Sequence, residues 1–294
     1  MALGGDLRLN RLDLDPYLPS VRGRAAVRDL AKTPLTPVSH ARELTVDGRL
    51  RVDSLHLRGV RAHHLETRLQ VEKGHVRLHP LKAPLFQGAY RGDLRVDASG
   101  TVPRLTVDER ARGLQVGPLQ RDLLGEVMVT GTARMDLALR ARGRTLGDVL
   151  RSLSGRGAYG LEEGEVMGMG LRQRVLEAVN PFGDGEEGGV RTWIHALHGS
   201  LEIREGRAYS NDLEALVDLV HVAGHGYVAP GERRRMDYRL DMALRGEAEG
   251  IPDLVDGLVV PVRFHGPLAQ PEVELKVGEA LKGELDPDLE DSGR

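Results

Sequence analysis

The chain is dominated by apolar and polar residues alternating with a period of two, which places every second side chain on one face of an extended strand. Leu50, Val52, Leu55 and Leu57 mark one such segment, and Leu69 with Val71, then Val76 with Leu78, mark the next two. Phe86, Tyr90, Leu94 and Val96 share a face with Gly88 and Gly92, while Gln87, Arg91, Asp93, Arg95 and Asp97 fall opposite. The pattern returns at Val127, Val129, Ala133, Met135, Leu137 and Leu139, at Leu197, Leu201 and Ile203, and at Tyr238, Leu240, Met242 and Leu244. It predicts many strands that share one oily and one heavily charged face. The pairs Asp47-Gly48, Lys73-Gly74, Glu163-Gly164 and Glu205-Gly206 suit two-residue hairpin turns, Asp47-Gly48 best of all, so the strands are expected to run mostly antiparallel. No strict repeat length supports a solenoid.

Two interruptions read as helices. Thr145 is an N-cap hydroxyl with Asp148 three places on, Leu146, Val149, Leu150 and Leu153 follow at helical spacing, and Gly155 is expected to supply the stop. The second runs from Leu171 through Val175, Leu176 and Val179 to Asn180-Pro181, and a single turn near Pro118 to Leu124 is a third, weaker element. So few helices cannot cover so many strands. Either the sheet folds over into a sandwich, or it curls into a groove whose apolar lining meets an apolar ligand. Period-two alternation fits both. The fold class is mainly β: an extended curled antiparallel sheet or groove built from hairpins, with two or three short helices.

Composition narrows the function. The 294 residues carry 41 basic and 44 acidic side chains, a net charge of −3, and this balance gives no electrostatic case for nucleic acid. The absence of cysteine removes disulfides and thiolate chemistry. The opening MALGGDLRLNRLDLDPYLP has no basic flank before an apolar run, and no run of apolar residues is long enough to span a bilayer, so neither a signal peptide nor a membrane span is expected in this chain. Residues 1–19 read as an opening strand, 20–40 as a linker or loop, 41–278 as a β-rich domain and 279–294 as an acidic, disordered tail.

Searching for chemistry yields little. Gly155, Gly157 and Gly160 match the spacing of a dinucleotide fingerprint, but here a helix precedes and a strand-like AYGLEEGEV follows, the reverse of what that motif needs. His75 with His79, His195 with His198, and His221 with His225 are paired in sequence without the convergent third and fourth ligands of a zinc site. No serine sits in a nucleophile elbow, and the carboxylates spread along polar strand faces as a solvated surface does. The expectation is no enzyme, no catalytic residue, no metal and no cofactor.

Several segments together resemble the C-terminal part of the AsmA family of bacterial envelope proteins. They are LDLDPYLP (Leu12 to Pro19), the block from Leu65 to Leu105 with its run Pro80, Leu81, Ala83, Leu85, Phe86, Gly88, Tyr90 and Gly92, LQVGPLQRDLLG from Leu114, the stretch Arg144 to Leu171, and VPVRFHGPLAQPEVELKV from Val260. The resemblance implies a periplasmic protein, associated with the inner membrane when intact, that serves outer-membrane assembly and homeostasis. Larger relatives are similar to bridge-like lipid transfer proteins with an acyl-shielding β-groove. Members typically begin with a membrane helix and a longer β-rich region, so this chain is expected to be the C-terminal half alone. The expected partners are phospholipid acyl chains, with outer-membrane assembly proteins or a missing N-terminal half as further candidates, and no nucleic acid. The expected groove lining is Leu69, Val71, Val76, Leu78, Phe86, Tyr90, Leu94, Val96, Val129, Met135, Leu137 and Leu139. The alternative is a protein-interaction module for outer-membrane protein targeting or folding, working through charged strand faces or a sheet edge.

Overall fold

The structure is a computed structural model that describes residues 2–15, 42–57, 60–167, 191–218, 220–229, 235–244, 259–267 and 272–275. Strands make up 79% of these residues. They are β1 (Ala2–Asp13), β2 (Thr45–Leu57), β3 (Val60–Glu72), β4 (His75–Leu85), β5 (Gly88–Asp97), β6 (Arg104–Gln115) and β7 (Val129–Arg142). They continue as β8 (Ser154–Met167), β9 (Arg191–Arg204), β10 (Arg207–Val217), β11 (Val220–Ala229), β12 (Arg235–Leu244), β13 (Val259–Pro267) and β14 (Glu272–Leu275). Helix α1 (Val116–Leu124) joins β6 to β7, and α2 (Leu146–Ser152) joins β7 to β8 at the opposite end of the strands.

All 14 strands form one sheet in which spatial order equals chain order. β1 pairs with β2 in parallel and every later pair is antiparallel, so the sheet is mixed, curled and unclosed. The expected meander of hairpins is present. Among the described residues all strands belong to this single sheet.

Two of the expected turns are turns. Lys73-Gly74 and Glu205-Gly206 both have φ positive at each residue (49° and 86°, 49° and 74°), as a hairpin that matches strand twist requires. The other two are not. Asp47 and Gly48 lie inside β2, flanked by Gly4 and Gly5 on β1 and by Gln70 and Leu69 on β3. Gly48 is there for close approach, since a Cβ would come within 2.1 Å of the Gly5 carbonyl oxygen. Glu163-Gly164 lies inside β8, where Glu163 (φ 50°) bulges against β7 as the register shifts between Thr130 and Thr132. Conversely, Phe86 and Gln87 make a left-handed turn with φ 46° and 64°, without the glycine that would announce it.

Helix α2 starts where its cap predicts. The Thr145 hydroxyl accepts from the Asp148 N–H at 3.1 Å, and the Asp148 carboxylate accepts from the Thr145 N–H at 3.1 Å. It ends earlier than expected, at Ser152, whose hydroxyl donates to the Val149 and Arg142 carbonyls, while Gly155 already belongs to β8. Helix α1 closes on Gly125, left-handed at φ 86°, whose N–H donates to the Arg121 carbonyl at 3.0 Å. The expected helix from Leu171 to Asn180, the loop 20–40 and the tail 279–294 lie outside the described residues.

Ion pairs lace the polar face. Asp93 is buried, and Arg77 and Arg95 each bond its carboxylate at 2.7 Å, with His79 at 3.0 Å. Burial by itself would raise this carboxyl, but the hydrogen bonds and charges of Arg77 and Arg95 outweigh it and bring the pKa from 3.8 to about 2. A carboxyl depressed on folding stabilises the native state fully above its unfolded pKa and loses that contribution as pH falls through the folded one. Asp93 therefore contributes about 2 kcal/mol that should fade between about pH 4 and pH 2. In urea titrations followed by circular dichroism, Asp93→Asn is expected to be less stable at neutral pH by about that amount and to show a shallower decline over this acid range.

Candidate functional site: the apolar face

Register decides which residues share a face, and it makes the apolar face continuous. From Gly48 on β2 the pairing passes through Leu69, Leu78, Leu94, Val107 and Leu139 to β7. It goes on through Gly155, Ile203, Ala208, Val228 and Met236 to Gly266 on β13. Glycine at 155 (φ 154°) is required by space, because a Cβ would stand 2.1 Å from the Ala138 carbonyl oxygen.

The expected lining residues can be placed individually. Leu69, Val71, Val76, Leu78, Tyr90, Leu94, Val96, Val129, Met135, Leu137 and Leu139 all fall on this one face by register. Phe86 does not belong to a strand; it sits in the left-handed turn between β4 and β5. Val71 is buried and the other residues are half-buried.

What covers the face differs along the sheet. Three small buried clusters flank its middle: Val52, Leu65 and Ala83 on β2–β4; Leu161, Val166 and Ile194 on β8 and β9, joined by Val116 of α1; and Ala215, Val220, Val222, Met242, Val260 and Val262 on β10–β13. Leu94, Val107, Met135, Leu137 and Leu139 are half-buried and belong to none of them. The centre of the apolar face is thus only half-covered, and its two ends are more open still, with Leu7 on β1 55% and Val273 on β14 45% exposed.

Sequence reasoning placed Tyr90 and Tyr238 on this face but missed Glu109 and the Tyr159–Ser210 pair. Tyr90 lies across Gly92, whose added Cβ would meet its hydroxyl at 2.9 Å. Burial raises the Tyr90 pKa, and the charge and hydrogen bond of Glu109 raise it further. By register, Glu109, opposite Gly92 and Leu137, puts a carboxylate in the middle of the apolar face. The signal was present in the alternation Leu105, Val107, Glu109, Ala111, where a carboxylate occupies an apolar position. Tyr159 covers Gly199 in the same way and shares a hydrogen bond with buried Ser210 at 3.0 Å, and the Tyr238 hydroxyl lies beside that pair with no bond of ideal geometry.

The other candidates resolve locally. Gly155, Gly157 and Gly160 lie along β8, and no helix begins beside them. His75 stands 3.5 Å from Asp97, His79 3.0 Å from Asp93 and His198 3.4 Å from Glu214; among the described residues no three His, Asp or Glu side chains converge as a metal site.

The family model for the AsmA family matches residues 20–213. The chain belongs to the AsmA family. It is similar to Protein AsmA of Escherichia coli (strain K12), with 22% identity over 250 residues that cover 82% of this chain and 40% of the relative, so it spans less than half the length of that protein. No solved structure matches it. AsmA membership points to a role in the cell envelope. No helix among the described residues is long and apolar enough to cross a membrane.

The uneven covering makes a stability prediction for this AsmA-family sheet. Leu137→Asp puts a charge on the half-buried centre and should cost less than about 1.5 kcal/mol, with the fold retained. Val262→Asp, at a site only 2% exposed, should cost at least about 4 kcal/mol and unfold the chain at ordinary temperatures. Thermal unfolding of the two variants side by side checks the contrast, and equal losses would mean that the centre is as tightly covered as the flank.

Proposed function

We infer that this chain is a non-enzymatic periplasmic module of the bacterial envelope. It shields phospholipid acyl chains along its apolar face and so supports lipid movement between membranes and the homeostasis of the outer membrane. The observation that carries this reading is the uninterrupted apolar row, crossing from β2 to β13 and only half-covered at Leu94, Val107, Leu137 and Leu139. With strands about 4.8 Å apart, such a row runs on the order of 50 Å along the sheet. Aliphatic side chains of this kind suit acyl chains, whose burial stabilises by about 0.8 kcal/mol per CH₂. Membership of the AsmA family supports the envelope setting.

A second reading has its own observation. β1 is 12 residues long, its far edge is unpaired among the described residues, and Leu7 on it is 55% exposed, as an edge that accepts a strand from another protein or from an upstream half would be. Native mass spectrometry with lipid extraction separates the two. The chain purified from a bacterial periplasm should retain phospholipid above the level of an unrelated β-rich control, and Leu94→Asp/Leu137→Asp should lose it while staying folded. Lipid at the control level together with a crosslinked protein at β1 would replace the first reading by the second.

A further inference from the structure

In the body of the polar face, pairs of arginines share carboxylates. Arg77 and Arg95 share Asp93, and Arg110 and Arg112 share Asp136 at 3.6 and 2.6 Å. At the α2 end of β6–β8 this sharing stops. Arg104 and Arg142 stand directly opposite each other, Arg140 lies two residues before Arg142 on the same face, Arg156 of β8 is diagonal to Arg140, and Arg144 leads into α2. All five are exposed. Among the described residues, Arg140, Arg142, Arg144 and Arg156 have no carboxylate within ion-pair distance.

The acids that face them are engaged elsewhere. Asp97, opposite Arg104, accepts from Ser99; Asp148 caps α2 and pairs with Arg151; and Glu202, opposite Arg156, is bound by Arg204. Like charges opposite one another across two strands are destabilising unless a counter-charge lies between them. Here Asp97 acts on Arg104, but among the described residues no carboxylate comes within ion-pair distance of Arg140, Arg142, Arg144 or Arg156. Arginine stays ionised at any physiological pH, so the cluster cannot discharge itself.

Apolar and aromatic groups adjoin these cations. Leu150 of α2 is 36% exposed, although its neighbour Val149 is buried. The β9–β10 turn abuts α2, with the Gly206 N–H donating to the Leu153 carbonyl at 2.9 Å. Beyond the turn, Arg204 lies 6.0 Å from the Tyr209 ring and Arg207 5.8 Å from the Tyr227 ring, the two tyrosines being 5.8 Å apart. Unpaired guanidinium groups beside an exposed leucine and amphipathic tyrosines match the boundary between lipid headgroups and acyl chains better than they match a purely polar partner.

We propose that the α2 end of the sheet docks on an anionic phospholipid surface, with Arg140, Arg142, Arg144 and Arg156 on lipid phosphates and Leu150 at the acyl boundary. The docking face is the polar one, so this site is independent of acyl-chain shielding on the opposite face. Flotation of the full chain with phosphatidylcholine vesicles, with and without phosphatidylglycerol, at low and high salt, tests it. Binding should require phosphatidylglycerol and fall with salt. Arg140→Glu/Arg142→Glu/Arg156→Glu should weaken it by roughly 100-fold. Lys82→Glu/Arg91→Glu, a like-charge pair in the body of the same face, should leave it unchanged. Leu150→Ala, which alters no charge, should weaken flotation on anionic vesicles and keeps the test alive should the triple variant misfold. Equal flotation on neutral and anionic vesicles, or equal losses in the two charge-reversal variants, overturns the proposal. So does tighter retention on single-stranded RNA than on vesicles at matched salt.

Discussion

The whole structure depends on register. In a sheet with a two-residue side-chain period, a slip of one residue on any strand would carry that strand's charged set onto the apolar face. On β5 such a slip would exchange Tyr90, Gly92 and Leu94 for Arg91, Asp93 and Arg95. Pairing each strand with the next one in sequence leaves few ways to misalign. Where register does shift, between Glu66 and Leu69, Leu78 and Leu81, Ala111 and Leu114, or Thr130 and Thr132, the strand resumes with apolar side chains on the same side. Bulges bend and twist the strand that carries them. The interruptions in the ladder thus supply curvature without disturbing the sorting of faces.

Sorting the faces explains a composition that otherwise looks unremarkable. A net charge of −3 conceals a surface in which arginines and carboxylates alternate across strands and bind one another. Most of these exposed pairs add little stability individually. Buried Asp93, held by two guanidinium groups and an imidazole, is the exception. The tyrosines on the inner face solve a different problem, since each lays its ring over a glycine and covers backbone that would otherwise lack packing.

Much of the fold was legible from alternation alone, because half-buried strands advertise themselves through the phase of their apolar residues. Eleven of the twelve lining positions lie on one face for this reason. Phe86 fails because the β4–β5 turn takes it out of phase, and a turn made of Phe and Gln carries no glycine signal. Asp47-Gly48 misleads in the opposite sense: its glycine answers a close contact with β1, a partner distant in sequence. The parallel pairing of β1 with β2 was hidden likewise, since phase says nothing of direction. Glu109 and the Tyr159–Ser210 contact depend on side chains meeting across strands, which a period within one strand does not record.

The two edges of the sheet are unlike. β1 offers 12 residues, whereas β14 has 4 and carries the exposed acids Glu272 and Glu274. Copies joined edge to edge in one repeating direction would have to mate the long edge of one with the short, acidic edge of the next, and a contact of four residues is too small to hold. A sheet this wide, with an oily face and an open ladder, would ordinarily be at risk of growing into fibrils. Among the described residues, the mismatch between its edges works against growth by edge-to-edge addition.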